Sequence, residues 1–114
     1  MATVTNYKGS FKTGWNQREI HVDMKVAAKA KVGTLCEIGT DTLTPLTTAP
    51  AANTKYAMIA QSDTTLGHGH VPVEDRDWMY YDDVAASTDK KHVAYYIVTL
   101  DDITSTSYSY TTAD

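Results

Sequence analysis

The chain has a single cysteine, Cys36, so no disulfide can close within it, and packing, strand pairing or association must hold the fold. A reactive thiolate needs a basic neighbour, and the residues adjoining Cys36 supply none, so Cys36 is expected as a small half-buried strand residue. Basic residues are scarce: ten Lys and Arg stand against fourteen Asp and Glu, for a formal net charge of −4. Lys25, Lys29 and Lys31 are separated by apolar residues and open no longer basic stripe, which argues against nucleic-acid binding. No apolar run approaches the roughly 20 residues that cross a bilayer. The opening MATVTNYKGSFK lacks the apolar core of a signal peptide, so a soluble product made in a reducing cytoplasm is expected. Phosphate-binding and nucleophile-elbow motifs are missing too: no G-x-x-x-x-G-K-[ST], G-x-S-x-G or G-x-G-x-x-G occurs, and Gly67-His68-Gly69 lacks both the third glycine and a strand-to-helix setting. No long-period repeat is present, which excludes a solenoid.

What remains is 114 residues, 42% hydrophobic and 21% charged, enough for one modest core. The aromatic set is biased: eight Tyr and two Trp against one Phe. Tyr and Trp suit places where one end is dry and the other meets water or a partner, and they dominate interface energetics. Residues 1–18 are expected to form an extended N-terminal arm. They hold spaced aromatics at Tyr7, Phe11 and Trp15, while Gly9, Gly14 and many Thr, Asn and Ser residues disfavour a helix. Such a segment either lies on its own domain or is ordered by a partner.

Strand signals fill residues 19–103. Ile20, Val22, Met24 and Val26 alternate with His21, Asp23 and Lys25, which is period two with one dry and one wet face. Val32 to Ile38 predicts a second strand, Gly39-Thr40-Asp41 a turn, and Leu43 to Leu46 a short return. Tyr56 to Ala60 suits a strand buried on both faces. Pro72 limits Val71–Val73 to an edge, and Trp78 to Tyr81 predicts an aromatic strand or turn. Asp82 to Lys91 has room for one or two helical turns capped by Asp82 or Asp83. His92 to Ile103 carries apolar groups on both faces, as a strand covered on both sides would. Residues 104–114 form a polar, Tyr-bearing tail that either extends an edge or remains mobile. Many short strands with close turns predict a mainly β fold: a small β-sandwich or barrel-like domain with little helix.

Two groups of residues invite a chemical reading. His68 and His70 flank Gly69, and an H-x-H pair in a strand would present both imidazoles to one face, with Asp63 or Asp75 as a third metal ligand. Glycines flank His68 and no second His pair follows; His21 and His92 are isolated in sequence, so a solvated loop and no metal site is the expectation. Glu74, Asp75, Asp77, Asp82 and Asp83 surround Trp78, Tyr80 and Tyr81, a composition that could line a sugar groove. A chain this small has little room for one, and no catalytic, cofactor or metal residues are assigned.

Residues 79–103, MYYDDVAASTDKKHVAYYIVTLDDI, resemble the C-terminal part of the lambda-type head decoration proteins of tailed bacteriophages. The likeness lies in an aromatic–acidic–acidic–valine step, an Ala-Ser stretch, a Thr/Asp-Lys-Lys turn and an aromatic run ending in Ile. GTLCEIGTDTLTPLTTAPAANTKYAMIAQSD, from Gly33 to Asp63, is similar to the middle of the same family. The arm and residues 19–26 do not match that family residue by residue. The resemblance implies a homotrimeric, non-enzymatic capsid decoration (cement) protein on the outer surface of the virion. It would bridge major capsid protein subunits with an arm that becomes ordered against them, without contacting nucleic acid or membrane. Tyr7, Phe11, Trp15, Trp78, Tyr80 and Tyr81 are then the interface candidates. Another virion structural or adhesive module, such as a head-fibre base or a carbohydrate-binding domain using Trp78, is the alternative.

Overall fold

The computed structural model describes residues 2–12, 18–63 and 83–112, and for residues 2–4, 83 and 108–112 the backbone alone. The fold is mainly β, and no α-helix occurs among the described residues. In chain order the strands are β1 (Ala2–Phe11), β2 (Ile20–Val26), β3 (Ala30–Lys31), β4 (Leu35–Ile38), β5 (Thr42–Pro45), β6 (Tyr56–Ile59), β7 (Asp83–Val84), β8 (Ser87–Val98) and β9 (Ile103–Thr112).

Five strands close a barrel in the order β2-β5-β4-β6-β8. All its pairings are antiparallel except β2 with β5, where Lys25 and Val26 lie parallel to Thr42 and Leu43. Closure leaves none of the five with an open edge. The short pair β3–β7 adds buried Ala30 and Val84. Strands β1 and β9 form a separate antiparallel ribbon in continuous register from Ala2↔Thr112 to Phe11↔Ile103.

The side-chain period of two explains why the barrel needs the ribbon. Met24, Val26, Cys36, Leu43, Ala57, Ile59, Val93 and Tyr95 pack together as one cluster. Their sequence neighbours on β4, β6 and β8 (Leu35, Tyr56, Met58 and Val98) form a second cluster on the opposite face, with Leu46 and Ile103. Tyr7, Phe11 and Tyr96 pack onto this second cluster. Since β1 carries Tyr7 and Phe11 and β9 carries Ile103, the ribbon covers the outside of β4, β6 and β8. All four residues of β6 are buried for that reason, as its unbroken apolar run predicts.

The ribbon sits close because Gly9 has no side chain. Its N–H donates to the Gly33 carbonyl at 2.7 Å. A Cβ there would lie 2.8 Å from Ile103 Cδ1 and 3.5 Å from Leu35 Cδ2. Gly33 closes the turn at φ +89°, in the region that favours glycine.

Two expectations need correction. Residues 83–91 are not helical: β7 and the start of β8 occupy them. Pairing overrides propensity, because β2 offers a ladder in which Met24 faces Lys91 and Val26 faces Ser87, and the Val26 N–H donates to Ser87 Oγ across the irregularity between them. The strand expected to run from His92 to Ile103 also breaks. The Asp102 carboxylate accepts from both the Thr99 N–H at 2.9 Å and the Thr99 hydroxyl at 3.0 Å, and this tight turn redirects the chain from β8 into β9.

Candidate functional site

Among the six aromatic candidates, the structure places Tyr7 and Phe11 on β1, half-buried against the second cluster. The Phe11 ring meets Tyr96 edge to face, with centroids 5.1 Å apart and planes at 72°. Trp15, Trp78, Tyr80 and Tyr81 lie outside the described residues, as do His68 and His70.

The first candidate surface is the β1–β9 ribbon. Each strand has the other as its ladder partner. Among the described residues the only further β-bridge is the single one from Lys8 to Thr34. An isolated two-stranded ribbon is marginal in water, and a strand lacking a second neighbour is a template for another chain. Where the ribbon leaves the barrel, an open cleft of about 600 Å³ lies between Lys8, Ser10, Thr104 and Thr106 and the turn at Val32–Gly33. Among the described residues its lining holds hydroxyls, one ammonium and backbone, which offer hydrogen bonds.

The second surface is the wet outer face of β2 and β8. Glu19, His21 and Asp23 alternate with Ile20, Val22 and Met24, of which Val22, expected on the dry face, is instead exposed; the register puts His21 opposite Ala94 and Asp23 opposite His92. The two imidazoles therefore meet diagonally across the ladder, His21 Nδ1 lying 2.8 Å from His92 Nε2. The rings are nearly perpendicular, at 79°. On its other side His21 Nε2 lies 2.9 Å from Glu19 Oε2. Gln61 Nε2 donates to the same oxygen at 3.0 Å, and the Tyr96 hydroxyl donates more loosely to Glu19 Oε1 at 3.4 Å. Partial burial works to raise the Glu19 pKa, but the hydrogen bonds from Gln61, His21 and Tyr96 outweigh it and hold the carboxyl below its ordinary range. The same contact, added to desolvation, raises the Tyr96 hydroxyl above its usual value.

Two histidines isolated in sequence are thus brought into contact. Sequence patterning placed both on strands, but strand pairing that joins residues 71 apart leaves no local signal. No group of three or more His, Cys, Asp or Glu side chains among the described residues is arranged to hold a metal ion. Among the same residues no helix is long and apolar enough to cross a membrane. Cys36 is fully buried, and desolvation pushes its thiol up to about 12, so it supplies no nucleophile at neutral pH. Comparison with family models, with curated proteins and with solved structures yields no match.

Proposed function

We propose that the chain is a structural binding module that attaches to other protein chains. Its most specific form is a capsid decoration protein, a homotrimer on the outer surface of a phage head that bridges major capsid protein subunits. The observation that carries the reading is the ribbon: ten residues of β1 against ten of β9, both strands without a second full ladder partner among the described residues. A strand from a neighbouring subunit would complete the ladder by main-chain hydrogen bonds, with specificity from alternate side chains. Trimerisation would multiply individually weak contacts through effective concentration. The resemblance of residues 33–63 and 79–103 to the lambda-type decoration proteins supplies the choice of partner, and nothing in such a role calls for a catalytic group.

The test is incubation of the purified chain with expanded, undecorated phage shells followed by sedimentation. Saturable co-sedimentation and a trimer in analytical ultracentrifugation are expected, with binding lost on deletion of residues 2–7, which removes the outer half of β1 and spares Gly9 and Phe11. A monomer that leaves shells in the supernatant overturns the reading.

A further inference from the structure

We propose that His21 and His92 form a surface binding site for a divalent transition metal ion, copper(II) foremost and nickel(II) next. The site does not rest on the proposed capsid role.

The argument begins with tautomers. An ionised carboxylate only accepts, so Glu19 Oε2 fixes the proton of neutral His21 on Nε2, leaving a lone pair on Nδ1. That lone pair faces His92 Nε2 at 2.8 Å, which therefore carries the donated hydrogen in the metal-free protein. A carboxylate holding the outer N–H of an imidazole is the arrangement that orients histidine ligands and raises their basicity. Glu19 is itself held by Gln61 and Tyr96, so this support is built from three elements of the barrel region.

The 2.8 Å between His21 Nδ1 and His92 Nε2 is a hydrogen-bond length, and it puts two imidazole nitrogens within reach of one ion once the rings turn. Entry of the ion requires the His92 proton to pass through solvent to its own Nδ1, so neutral His92 presents a lone pair with no net change in charge. It also requires each ring to turn toward a shared point off the nitrogen–nitrogen line. Both side chains are exposed, so the turns meet no core packing. The other coordination positions are left to water, and the Asp23 carboxylate, paired with His92 in the ladder, adds negative charge beside the site. The order of affinities along the first-row ions places copper(II) highest.

Titration calorimetry of the full chain with copper(II) chloride in a non-chelating buffer, with electron paramagnetic resonance on the same samples, tests the site. The expected result is an ion bound with hyperfine structure from two imidazole nitrogens. Affinity should drop at least tenfold in His21→Gln and in His92→Gln, and about tenfold in Glu19→Gln, the size usual for an outer-sphere partner. Nickel(II) should follow the same pattern and zinc(II) should bind more weakly. Near-ultraviolet circular dichroism confirms that each variant keeps its core. The His68→Ala/His70→Ala chain should retain the site. Copper binding unchanged by both His21→Gln and His92→Gln, or lost only with His68 and His70, overturns the proposal.

Discussion

Gly9 and Gly33 meet backbone to backbone, the N–H of one donating to the carbonyl of the other at 2.7 Å, and this contact seats the ribbon on the barrel. Gly33 stands at φ +89°, and an added Cβ would lie 3.2 Å from the Gly9 carbonyl oxygen. Gly33→Ala should therefore cost about 1–2 kcal/mol through the left-handed backbone, read as a lowered urea midpoint at constant slope. An unchanged midpoint would count against this seating.

The two clusters on opposite faces of β4, β6 and β8 should respond as separate cores. Leu43→Ala, in the barrel cluster, should cost about 2–5 kcal/mol, and Ile103→Val, under the ribbon, about 0.5–1.5 kcal/mol. Amide exchange distinguishes them. Ile103→Val should speed exchange first in β1 and β9, and Leu43→Ala should speed it throughout the barrel. Uniform acceleration by Ile103→Val would mean the ribbon and barrel open together.

Asn6 is 1% exposed, and its side-chain nitrogen has no hydrogen-bond partner among the described residues. A buried donor left unpaired costs about 1–3 kcal/mol. Asn6→Leu, close to the same size, should raise the melting temperature, and a lowered one would show that the amide is satisfied in solution.

Glu19 gives the pH dependence. Its carboxyl is held below the ordinary value of 4.5, so it contributes stability above that pH and loses it as pH falls through its own lower value. Glu19→Gln should flatten the loss of melting temperature below pH 4.5, an effect kept small by solvent around the group. An identical acid limb in the variant would remove Glu19 from the account.

The Cys36 thiol, with its pKa near 12, should react with Ellman's reagent no faster than the protein opens. Labelling should accelerate in step with urea-induced unfolding. Rapid labelling of the native chain would show a path to the barrel interior.

Much of the barrel was legible in the residues themselves. The alternation Ile20–Val26 gave β2, and the unbroken run at Tyr56 gave a strand buried on both faces, because burial leaves a local pattern. The helix expected within residues 82–91 failed because Ala85, Ala86 and Asp83 carry propensity, while the ladder to β2 that decides the matter lies more than 60 residues away. The Glu19–His21–His92 contact was illegible for the same reason. Tyr7 and Phe11 were visible as anchors, but the sequence was silent on their seat, since the floor beneath them comes from β4, β6 and β8.

The register that joins Ala2 to Thr112 has a kinetic meaning. Closing a loop of that length is entropically dear and slow, whereas the hairpin pairing of β4 with β5 is local. Of the described strands β1 is made before all the others and its mate β9 after them, so β1 lacks its ladder partner until Ile103–Thr112 has been made. Products truncated before Ile103 will therefore present β1 without the strand that pairs with it.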